Sequence, residues 1–132
     1  MPFSVDVHYS GGAAILALGD RLIGVDGTEL RAQMLSEFEA GHKGLVLDCV
    51  KLAACDSFGL GELVAAHASI VRRGGQVKLA RLHRRFEELL EITRLTALFQ
   101  IYPNEASALA SFTAAAGAKE RAALNHFLNP DE

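Results

Sequence analysis

A chain of 132 residues, half of them hydrophobic, is long enough for one domain with a proper core and too short for two. Its formal net charge is −3, and its 13 basic residues are scattered apart from Arg72–Arg73 and His83-Arg84-Arg85; without a basic stripe interleaved with aromatics, direct nucleic-acid binding is not expected. No apolar run approaches the roughly 20 residues that span a bilayer, and Met1–Asp6 lacks the regions of a secretory signal, so a cytoplasmic protein without membrane attachment is expected.

The first strand is predicted over Val5–Tyr9, where Val5, Val7 and Tyr9 alternate with Asp6 and His8. Ser10-Gly11-Gly12 reads as a hairpin turn, and Ala13–Leu18 as a second strand ended by Gly19-Asp20. A helix follows over Val25–Ala40. Leu30, Met34 and Phe38 recur on one side, Glu29, Arg31, Gln33 and Glu37 fall elsewhere on the surface, and Gly41 suits the C′ position. Leu45–Val50 is apolar without strict alternation, as in a strand covered on both faces.

The next helix spans Phe58–Arg73, with Leu60, Leu63, Val64, His67, Ile70 and Val71 on one stripe, and Gly74-Gly75 stops it. Gln76–Ala80 is a strand. His83–Ile92 is a helix with Phe86, Leu89, Leu90 and Thr93 inward. Leu98–Tyr102 is a short extended segment, and Pro103 opens a helix over Asn104–Ala116 with Ala106, Leu109, Ala110 and Phe112 as its apolar side. Beyond Gly117, Leu124, Phe127 and Leu128 would line one edge of a short helix, either a packed or frayed terminus or an element for partner docking or for self-association into a homodimer. The order β-β-α-β-α-β-α-β-α predicts an α/β protein: a mixed sheet of four to five strands with helices packed mainly on one face. The domain is expected over residues 1–116, with a tail over 117–132.

Chemistry-bearing residues are sparse. Cys49 and Cys55 have no nearby Cys/His pair, so they read as small hydrophobes rather than zinc ligands. The histidines are dispersed, and His67 lies on an apolar helix stripe as a core-edge residue. No metal site is expected. Gly59-x-Gly61 lacks the third glycine and the following acidic residue of a dinucleotide loop, so no cofactor is expected either. Asp56 and Ser57 fall at a helix N-terminus, where both residue types accept hydrogen bonds from free amides. Gly59 and Gly61 would keep the first turn low enough for another surface to approach. An enzyme would need Ser57 paired in space with a histidine and a carboxylate, in a deep polar pocket; no nucleophile-elbow pattern or compact cluster supports it.

The segment Asp56-Ser57-x-Gly59-Leu60-Gly61, after a strand ending in Asp48, resembles the signature of STAS domains, the domains of bacterial anti-sigma factor antagonists. Gly74-Gly75 before Val77-Lys78-Leu79, then Phe86-x-x-Leu89-Leu90-x-Ile92-Thr93-x-Leu95, then Leu98-Phe99-x-Ile101-Tyr102 before Glu105–Ala110 extend the likeness over about residues 3–113. The resemblance implies a non-enzymatic regulator that docks onto a serine kinase acting as an anti-sigma factor. It also implies a phosphatase that resets the switch.

The family's phosphoacceptor position is Ser57 here. The implied docking surface comprises Asp20, Leu22, Ile23, Gly24, Asp56, Ser57, Phe58, Gly59 and Gly61. Two positions depart from the sigma-regulating members. Phe58 stands where they carry Ser or Thr, and Leu22 takes the place of the aspartate in their Gly-Glu-hydrophobic-Asp stretch, with Asp20 or Asp26 as the nearby substitutes. Ser57 favours a phosphorylation switch; Phe58 and Leu22 favour an unphosphorylated scaffold, and the family also contains ligand-sensing members.

Overall fold

The computed structural model describes residues 3–112. Strand β1 (Val5–Ser10) pairs antiparallel with β2 (Ala13–Leu18), Val5 facing Leu18 and Ser10 facing Ala13. Gly11 and Gly12 make the turn at φ +56° and +84°, a region open to glycine at little cost. The chain continues through β3 (Arg21–Leu22), α1 (Asp26–Glu39), β4 (Gly44–Asp48), β5 (Ala54–Cys55), α2 (Ser57–Arg72), β6 (Gln76–Ala80), α3 (Arg84–Ile92), β7 (Gln100–Tyr102) and α4 (Glu105–Ala110).

The main sheet has five strands in the order β1-β2-β4-β6-β7. β1 is antiparallel to its neighbour, and the other pairings are parallel. A parallel pairing needs a crossover, which α1, α2 and α3 supply. Their apolar stripes, among them Leu30, Met34, Leu63, Ile70, Phe86 and Leu90, share one core with Leu16, Leu47 and Leu79 of the strands. Side chains alternate along a strand, so Ile15, Val46 and Ala80 face the opposite way, where Ala108 of α4 covers them. The expected mixed sheet with helices mainly on one face is the observed architecture.

Several side chains lie elsewhere than the periodicity predicts. Glu37 is buried rather than on the surface, because the Tyr9 hydroxyl donates to its carboxylate at 2.8 Å. Thr93 is exposed; its hydroxyl donates to the Leu89 carbonyl at 2.7 Å and closes α3. Ala108 and Leu109 of α4, with Phe112 just beyond it, face inward, while Ala106 and Ala110 are exposed. The helix ends at Ala110 with Ser111 as its C-cap. The expected helical residues 113–116 and the tail with Leu124, Phe127 and Leu128 lie outside the described residues.

Both cysteines are free thiols. Burial, reinforced by the negative charge of Asp48, pushes the Cys49 thiol far above its ordinary range. Burial, with Asp56 adding to it, pushes Cys55 up to about 12. His67 is fully inside the core, its ring 4.7 Å from that of Phe99. Burial, then the charge of Lys78, lowers its pKa to about 4, so it is neutral at pH 7.

Candidate functional site

The short parallel pair β3–β5, with Arg21 beside Ala54 and Leu22 beside Cys55, brings the turn before α1 against the start of α2. The Asp20 carbonyl accepts from the amides of Ala53 and Ala54 at 3.0 and 3.1 Å, and Leu22 accepts from Asp56 at 3.2 Å. Asp56 then caps α2: its Oδ1 accepts from the Gly59 amide at 2.7 Å. Its Oδ2 accepts from the Gly24 amide at 2.9 Å, across the gap between elements. The Gly59 and Gly24 amides together hold this carboxyl below the usual range.

Ser57 is the first residue of α2 and is exposed. Phe58 beside it is 54% exposed, and Ile23 and Val25 on the neighbouring turn are 41% and 71% exposed. Gly61 opens to solvent, with nothing within 4 Å of where a Cβ would sit. Ile23, Val25, Ser57, Phe58 and Gly61 therefore make up an accessible surface with apolar side chains on two adjoining elements. Val25 is missing from the sequence-derived set. It sits in the N-cap position of α1, outside the buried stripe, where periodicity assigns it to the helix and gives no sign of its exposure.

Two residues of that set turn inward. Leu22 is fully buried in the main core, so it offers a partner no side chain. Gly59 is buried because the Leu22 carbonyl lies against it; a Cβ there would stand 2.3 Å from that oxygen. Its bareness serves a contact within the chain rather than the approach of another surface. Gly24, half-buried at φ +57°, and Asp56 shape the turn.

The acidic substitutes behave differently. Asp20 is exposed, whereas Asp26 is 2% exposed. Burial would raise the Asp26 pKa, but the Ile23 amide at 2.9 Å and Arg21 Nε at 3.1 Å outweigh it and hold the pKa low. Asp26 is thus a brace inside the turn and not a surface charge.

A cleft of about 440 Å³ opens at the carboxyl ends of β2 and β4, where Asp48, Arg81 and Glu105 contribute to its lining and Ser57 does not. Arg81 Nη2 donates to Asp48 at 2.6 Å, and the His8 ring lies 3.3 Å from Glu105 Oε1. Burial works to raise the Asp48 pKa, and the bonds from Arg81, Glu105 and the Val50 amide together overcome it. Among the described residues no group of three or more His, Cys, Asp and Glu could hold a metal ion. No helix among them is long and apolar enough to cross a membrane.

Comparison with known proteins places this geometry. The STAS domain model matches residues 4–108. An anti-sigma F factor antagonist of Paenibacillus polymyxa is 26% identical over 110 residues, which are 83% of this chain and 94% of that protein. The crystal structure of an anti-sigma factor antagonist from Mycobacterium paratuberculosis has a TM-score of 0.73 at 17% identity, covering 83% of this chain and 93% of the other. The phosphorylated form of the Bacillus cell fate determinant SpoIIAA gives 0.64 at 14% identity, covering 85% and 100%. The solved structures share the fold, and the domain match takes in the capped start of α2 together with all five strands of the main sheet: the chain belongs to the STAS domain family.

Proposed function

We propose that this protein is a non-enzymatic regulator of the anti-sigma factor antagonist type, which binds a serine kinase through the start of α2 and lets go when Ser57 is phosphorylated. The observation that carries this reading is an exposed serine at the first position of a capped helix, beside the exposed apolar side chains Phe58, Ile23 and Val25. Exposed aromatics of this kind are enriched in protein interfaces. The likeness to antagonists in sequence supports the same role. In this reading the protein works in the cytoplasm, and a phosphatase restores the unmodified form.

Phosphorylation adds about −1.5 to −2 charges at neutral pH. Within the chain, the first amides of α2 offset this charge, while Asp56 repels it. Against a bound partner the phosphate would have to be buried, and an unpaired buried charge costs several kcal/mol. Since about 1.4 kcal/mol is tenfold in affinity, release by a hundredfold or more follows.

The test incubates the protein with the purified kinase and ATP, maps the phosphate by mass spectrometry and titrates variants. Ser57→Asp should weaken binding, and Ser57→Ala should bind without regulation. Phosphate only at other positions, or equal binding by wild type and Ser57→Asp, would leave the second reading: a constitutive scaffold. That reading is favoured by Phe58, an exposed aromatic where the sigma-regulating members carry a hydroxyl residue.

A further inference from the structure

We propose that Asp56 is a positioning residue: it clasps the turn at Gly24 to the start of α2, so that Ile23 and Val25 stand beside Phe58 as one docking face. A helix cap needs only one acceptor oxygen, and Ser, Thr, Asn and Asp all provide it. Asp56 uses both of its oxygens, one on Gly59 in its own helix and the other on Gly24 in a different element. Serine has one side-chain oxygen on a shorter stem. Asparagine would turn an N–H₂ toward one of the two amides, and that group cannot accept. The carboxylate is the side chain that satisfies both at once, through charge-assisted bonds.

The strand pair β3–β5 and the Leu22 carbonyl, which accepts from the Asp56 amide at 3.2 Å, tie the residue before the turn to α2, and within the turn the bonds are local. Asp26 accepts from the Ile23 amide, and the Gly24 carbonyl accepts from Gly27 at 3.1 Å. Gly24 takes the left-handed conformation, φ +57°, and the two exposed aliphatics flank it in sequence. Releasing the Gly24 amide removes a side-chain tie to α2 from the middle of the segment that carries both of them, while Phe58 stays on the helix. The docking consequence rests on the function proposed above; the clasp itself rests on the geometry alone.

Amide hydrogen exchange measured by NMR on the whole chain separates the two. In Asp56→Ser the hydroxyl still caps Gly59, so the Gly59 amide should keep its protection while the Gly24 amide exchanges at least tenfold faster. Asp56→Asn should lose protection at one of the two amides. Phe58→Ala should change neither. Purified anti-sigma factor kinases of the source organism, tested one at a time by calorimetry, are the binding probe. Asp56→Ser should bind at least tenfold more weakly even though Ser57 and Phe58 are intact. Wild-type exchange at Gly24 in both Asp56 variants would overturn the clasp. Faster exchange with undiminished kinase binding would overturn its part in docking. If no kinase binds the wild-type protein, the functional reading fails, and the exchange data alone decide the clasp.

Discussion

Gly59 and Gly61 look alike in the sequence, two residues apart at the start of one helix, yet they answer to different neighbours. Gly59 is pressed against the Leu22 carbonyl, and Gly61 faces open space. Gly59→Ala should therefore cost about 1–3 kcal/mol, the usual range for overpacking, as a drop in the urea midpoint. Gly61→Arg, which exchanges an exposed helical glycine for a better helix former, should unfold at or slightly above the wild-type midpoint and weaken partner capture if the proposed docking surface is correct. Equal stability of the two variants would contradict the packing described here. The Asp-Ser cap and its place in the chain were legible from residue type alone. That Leu22 is core while its neighbour Ile23 is exposed was not legible, because it depends on a strand pair only two residues long, too short for a period to show.

Helices α1 and α2 and the buried strands were legible because their patterns repeat over enough residues to define a face. The misreadings fall at element ends and edges, at Glu37, Thr93 and Ala106, where a single hydrogen bond or a shift of the helix face decides burial. The nine-residue α3 illustrates how unevenly one element is anchored: Phe86 and Leu90 are its buried residues, while Ile92 is 79% exposed. Phe86→Ala should cost about 3–5 kcal/mol, whereas Ile92→Ala should stay within about 0.5 kcal/mol of wild type. Chemical denaturation of the two variants checks both figures. A large loss at Ile92 would mean that this face of α3 is covered in solution.

Across the molecule, the carboxyls of Asp26, Asp48 and Asp56 all titrate below the ordinary range. A carboxyl whose folded pKa is depressed contributes stability above its unfolded pKa of about 3.9 and loses it as pH falls through the folded value. Glu105 is shifted the other way, first by its hydrogen bond to Asp48, so its contribution is present at low pH and fades as pH rises through its folded pKa. His67, depressed to about 4, already loses stability as pH falls below its unfolded value of about 6.5, so stability falls from about pH 6.5 and further below about 4, where three aspartates stand against Glu105. The urea midpoint followed from pH 7 to pH 3 should show this fall, with a shallower slope in Asp56→Ser. A midpoint unchanged down to pH 3 would contradict it.

The two suppressed thiols leave the chain with a chemically quiet background. Thiolate is the reactive form, and burial keeps Cys49 and Cys55 protonated at pH 7. A cysteine placed at the exposed first position of α2 by Ser57→Cys would sit where the helix N-terminus favours thiolate. It should react with maleimide at least tenfold faster than either native thiol. A fluorophore or spin label could then be attached at the proposed docking surface of the otherwise native chain, without first removing cysteines that belong to its packing.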